Sequence, residues 1–114
     1  MPTYSQEQAK LNKEYLKLQQ DYNKAQLRYN ELSQKYEWLA HQYNQLSCEY
    51  QQLTMQFQML QEQYMSGNTS PEIRRNLERI QKQGKKIEMR LKEIQRNGNS
   101  VQKEMIQIEK HYNN

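Results

Sequence analysis

The chain has 114 residues, 34% of them hydrophobic, with 17 Lys or Arg against 13 Asp or Glu and a formal net charge of +4. That length holds at most one small domain and excludes a multi-domain enzyme. Leu, Ile, Val and Phe supply only 19 of the residues, below what a globular core needs, which leaves two classes: a disordered chain or a long coiled coil.

Three Gly, two Pro and one Cys leave few turns and no disulfide framework, and they fit a reducing compartment. The longest apolar run, Trp38-Leu39-Ala40, is far short of a spanning helix, and the first ten residues lack the apolar segment of a signal peptide. A cytoplasmic chain with no membrane span is therefore expected.

Periodicity decides between the two classes. From Leu11 onward apolar residues recur at steps of four and three: Leu11, Tyr15, Leu18, Tyr22, Ala25, Tyr29, Leu32, Tyr36, Leu39, Tyr43, Leu46, Tyr50, Leu53, Phe57, Leu60 and Tyr64. This is a heptad repeat with an aromatic at each a position and Leu, once Ala, at d. Read backward, Tyr4 falls on d and Gln8 on a, so the register frays at the start. Thr3 and Gln6 have capping-box spacing, and the pattern predicts a first helix over about 4–65.

The pattern stops at Ser66-Gly67-Asn68-Thr69-Ser70-Pro71, a cluster of turn formers in which Ser70 or Thr69 can cap a new helix and Pro71 can occupy its first turn. A second series then restarts out of phase: Ile73, Leu77, Ile80, Gly84, Ile87, Leu91, Ile94, Gly98, Val101, Met105, Ile108 and Tyr112. It predicts a second helix over about 72–112. Asn97-Gly98-Asn99-Ser100 is its weak point, where either the helix continues, as the unbroken register indicates, or a short third helix starts at Ser100.

A short linker between two heptad helices forces them antiparallel. The expected fold is a single all-α domain over 1–114, a long antiparallel coiled-coil helical hairpin that assembles further into a multi-helix bundle. Antiparallel packing pairs a with d. Partners whose numbers sum to 137 place the bend between Asn68 and Thr69, set Tyr36 against Val101 and Tyr50 against Ile87, and set the single Ala25 against the single Tyr112. This volume matching is what close packing requires. Gly84 and Gly98 would then fall opposite Leu53 and Leu39, and close backbone approach is the expected return for two glycines inside a helix.

The second helix runs out opposite Ala25, so Leu11, Tyr15, Leu18 and Tyr22 continue the seam with no intramolecular partner. Such a stripe is expected to pair with a second copy of the chain, giving a homodimer, or with another helical protein; a frayed helical tail is the plain alternative. Ser33, Ala40, Ser47 and Thr54, all small, sit at e beside the seam and would permit close approach of further helices. Leu16, Leu27, Trp38, Met55 and Met59 are scattered over the outer face, and Trp38 is the residue type most often found at an interface hot spot.

Charge is unevenly shared, with six basic and seven acidic side chains in residues 1–65 and eleven against six in residues 66–114. Arg75, Arg79, Lys82 and Lys86 follow helical spacing along an outer face that would suit an anion, nucleic acid among them, or simply remain solvated. The sequence holds no Gly-rich phosphate loop or nucleophile elbow. Glu37 and His41 make only an exposed pair, and Cys48 lies at f with no His near it in sequence, so no enzyme, metal or cofactor is expected. The functional expectation is a non-enzymatic coiled-coil interaction and oligomerisation scaffold, with a nucleic-acid-binding accessory as the alternative.

Overall fold

A computed structural model describes residues 3–113. It is an all-α helical hairpin of two helices, α1 over Tyr4–Met65 and α2 over Pro71–Tyr112, of 62 and 42 residues. Helix α2 runs unbroken through Asn97-Gly98-Asn99-Ser100.

The helix ends follow from their residues. At the start of α1 the Thr3 amide donates to Gln6 Oε1 at 3.0 Å and the Gln6 amide donates to Thr3 Oγ1 at 3.3 Å, the reciprocal pair of a capping box. At its end the Asn68 amide reaches back to the Gln63 carbonyl at 3.1 Å and the Gly67 amide to Tyr64 at 3.2 Å. These two bonds form a Schellman motif that needs a left-handed residue at its centre, and Gly67 supplies it with φ 105°. The Ile73 amide then donates to Ser70 Oγ at 3.4 Å, so Ser70 caps α2 with Pro71 in its first turn.

The chain divides into two compact units, Met1–Tyr36 with Val101–Asn114, and Glu37–Ser100. In the second unit the buried apolar side chains are Leu39, Leu46 and Leu53 of α1 with Ile73, Ile80 and Ile87 of α2, and Gly98 is buried as well. Leu46, Leu53, Ile80 and Ile87 form one cluster against which Tyr50, Phe57, Leu60, Leu91 and Ile94 pack. In the first unit Leu32 and Val101 are buried, with Tyr29, Met105, Ile108 and Tyr112 half-buried beside them. All the buried α1 residues hold d positions.

The aromatic a positions are less enclosed than a simple a-to-d layering implies, with Tyr36 42% and Tyr43 39% exposed. A Tyr ring carries a hydroxyl that must find water or a partner, so the ring lies across the flank of the seam while Leu and Ile fill its centre.

The glycines of α2 do not mark close backbone approach, which corrects the sequence expectation. A Cβ added to Gly84 would stand 3.6 Å from Leu53 Cδ2 and 3.9 Å from Tyr50 Cε2, ordinary van der Waals contact, and one added to Gly98 would meet nothing within 4 Å. The neighbour found at Gly84 is the Leu53 that the sum of 137 assigns. The nearest atoms to that Cβ belong to the side chains of Leu53 and Tyr50, so the glycine leaves room for a methyl group.

Candidate interaction site

In the unit built from residues 1–36 and 101–114, α1 continues for about five turns beyond the last residue of α2. Leu11, Tyr15 and Leu18 lie on one stripe of this extension and are 60%, 67% and 68% exposed. They prolong the a and d positions that α2 covers further along the same unit.

Tyr22 is different, and here the structure corrects the sequence reading that left it without an intramolecular partner. Its ring meets that of Tyr112 edge-on, with centroids 5.2 Å apart and planes at 77°, and His111 packs against Tyr112 in turn at 4.7 Å. Ala25, the register partner of Tyr112, is too short to fill the layer, so the large ring extends to the next aromatic along α1. Only residues N-terminal to Tyr22 form the free stripe.

The covered part of this unit is tied at its flanks. Arg28 grips Glu104 with two donors, Nε at 3.0 Å and Nη2 at 3.2 Å, and reaches Glu31 with Nη1 at 3.4 Å. The Glu104 hydrogen bond, helped by the charges of Glu104 and Glu31, holds the Arg28 proton more firmly than in a free guanidinium. The Tyr29 hydroxyl donates to Glu109 at 2.5 Å, and that bond raises its pKa above the ordinary Tyr value. None of these flank pairs was visible in the apolar series. The Tyr29–Glu109 bond becomes legible when the register is read one residue past the a-to-d pair, since 29 and 109 sum to 138, not 137, whereas Arg28 and Glu104 join two g positions.

In the unit over 37–100 the same flank pairing joins the Tyr50 hydroxyl to Glu88 at 2.6 Å, again raising the Tyr50 pKa. Arg74 stands 6.0 Å above the Tyr64 ring near the turn. Tyr50, Phe57, Ile80 and Gly84 line a shallow cleft of about 390 Å3. Trp38 is exposed in this unit at a c position, off the stripe that carries Leu11, Tyr15 and Leu18.

Arg75, Arg79, Lys82 and Lys86 are exposed on α2. Among the described residues both salt bridges belong to Arg28, so these four cations have no carboxylate partner. Glu88, at an e position of α2, is engaged by Tyr50, and Glu78, which lies between Arg75 and Lys82 in the sequence, forms no salt bridge with them. Cys48 is exposed with a free thiol. Among the described residues no three His, Cys, Asp or Glu side chains gather, and no helix is long and apolar enough to cross a membrane.

Comparison with known proteins finds no matching family model, no matching curated relative and no matching solved structure.

Proposed function

We propose that this protein is a non-enzymatic coiled-coil interaction and oligomerisation scaffold whose working surface is the uncovered N-terminal segment of α1. The observation that supports this reading is the exposure of Leu11, Tyr15 and Leu18 on the same heptad stripe that α2 buries elsewhere in the unit. A helix with an unoccupied apolar stripe gains by burying it against another helix, at roughly 25 cal/mol per Å2 of apolar surface. The mechanism is knobs-into-holes packing, with specificity carried by the shape of the aromatic and Leu positions. Trp38 and the small residues Ser33, Ala40, Ser47 and Thr54 offer further surface for assembly into a bundle.

Light scattering coupled to size exclusion, on the full chain and on a Leu11→Asp/Leu18→Asp variant, tests the reading. A mass above the 14.0 kDa of one chain that falls to it on substitution is the expected result. Equal masses for the two proteins would remove the free stripe from self-assembly.

A second reading is favoured by the four cations without carboxylate partners. Arg75, Arg79, Lys82 and Lys86 would neutralise phosphates of a nucleic acid without reading its sequence, and binding would weaken steeply with salt. Electrophoretic shift with mixed DNA and RNA separates it from the first, because absence of binding even at low salt removes it.

A further inference from the structure

We infer that the uncovered segment of α1 pairs with the same segment of a second copy, parallel and in register. This rests on the docking reading above and adds the identity and direction of the partner. Two independent features of residues 4–22 carry it.

The first is charge. In the α1 heptad the g positions of this segment are Glu7, Glu14 and Asp21, and the e positions are Ser5, Asn12 and Gln19. In an antiparallel pair g faces g, so every offset that matches the apolar stripes would bring Glu7, Glu14 and Asp21 of one copy against those of the other. The next g residue, Arg28, would relieve this, but it is already held by Glu104 and Glu31. In a parallel pair g faces the e position of the other helix five residues on. Glu7 then lies beside Asn12 and Glu14 beside Gln19, each carboxylate next to an amide that can donate to it, and Asp21 falls at the end of the paired segment. Like charges are kept apart in one arrangement and forced together in the other.

The second is the polar residue in the stripe. Gln8 occupies an a position. Antiparallel pairing would set it against Leu18 or Ala25, leaving its amide without a partner in an apolar layer. Parallel in-register pairing sets it against its own copy, where two amides satisfy each other, and a single polar a layer of this kind fixes register and direction. The neighbouring layers become Leu11 on Leu11, Tyr15 on Tyr15 and Leu18 on Leu18, with Leu at d as parallel two-stranded coils prefer. The pairing ends where Tyr112 occupies Tyr22.

The test uses the full chain in a Cys48→Ser background, which removes the free exposed thiol. Leu18→Cys, Leu11→Cys and Tyr15→Cys proteins are equilibrated in a glutathione redox buffer, alone and as two mixtures, Tyr15→Cys with Leu11→Cys and Tyr15→Cys with Leu18→Cys, the pairs that the antiparallel offsets setting Gln8 against Leu18 and against Ala25 would bring together. The expected result is a disulfide dimer from each protein alone and no preference for either mixed dimer. Preferential formation of either mixed dimer would overturn the parallel arrangement and leave the docking reading standing.

Because a Cys substitution can weaken the stripe, Glu7→Gln/Glu14→Gln/Asp21→Asn provides a second readout by dimer affinity. Little change is expected for the parallel pair, whereas a tenfold or greater tightening, the equivalent of about 1.4 kcal/mol, would identify relief of antiparallel repulsion and overturn the proposal. A chain that stays monomeric at every concentration overturns the second copy as partner. A dimer whose mass is indifferent to Leu11→Asp/Leu18→Asp overturns the docking reading as well.

Discussion

The Tyr50 hydroxyl donates to the Glu88 carboxylate at 2.6 Å, and three heptads away along each helix Tyr29 makes the same bond to Glu109 at 2.5 Å. Both bonds join an a position of α1 to an e position of α2. They predict that the hairpin loses stability at alkaline pH. The folded hydroxyls bind their protons more tightly than the ordinary Tyr value of 10.0, first through the hydrogen bond to Glu. Their contribution is therefore complete below about pH 10 and is lost as pH rises through the higher folded values. Thermal melts between neutral and strongly alkaline pH should show a decline in Tm above that point, and Tyr29→Phe/Tyr50→Phe should make the decline shallower. An identical slope in the variant would remove the two bonds from the pH response.

The three glycines should respond to Ala in opposite directions. Gly84 and Gly98 sit inside a helix with room for a Cβ, so each Gly→Ala change should stabilise by about 1 kcal/mol through helix propensity. Gly67 holds φ 105°, and Gly67→Ala should destabilise by about 1 kcal/mol or more, since an L side chain strains that backbone. Chemical denaturation of the single variants checks the signs, and a loss of stability at Gly98→Ala would show that the space there is filled.

Burial should sort the leucines of α1 by consequence. Leu46 lies in the buried cluster of its unit, and Leu46→Ala should cost about 2–5 kcal/mol. Leu27 is exposed on the outer face, and Leu27→Ala should stay within about 0.5 kcal/mol of wild type. Equal effects would contradict the assignment of d positions to the core.

The cations of α2 should be dispensable for folding. Replacing Arg75, Arg79, Lys82 and Lys86 by Glu breaks no ion pair among the described residues, so circular dichroism should retain its helical signal. If the nucleic-acid reading holds, the same variant loses all binding at low salt. Binding that survives the four reversals would place any such site elsewhere.

The helical hairpin was legible because its signals are local and repeated. The steps of four and three mark both helices, and the Ser66–Pro71 cluster marks the turn through residues with specific backbone roles. Thr3 with Gln6 announced the capping box. What stayed hidden depends on side-chain reach. Tyr112 extends past its register partner Ala25 to Tyr22, the Tyr rings lie across the flank to meet Glu88 and Glu109, and Gly84 leaves a cleft where a closer approach was expected. Each outcome is set by how long a neighbouring side chain is, which a pattern of apolar positions does not encode. The candidate site was legible only as an unpaired stripe, because nothing in a heptad names the helix that completes it.

Hydrogen exchange followed by mass spectrometry over a concentration series reads the docking stripe most directly. The proposed pairing predicts that amides in residues 4–21 exchange fast in dilute solution and become protected as concentration rises, while protection across residues 37–65 stays constant. Exchange in residues 4–21 that is indifferent to concentration, or protection that grows first in residues 37–65, would contradict it.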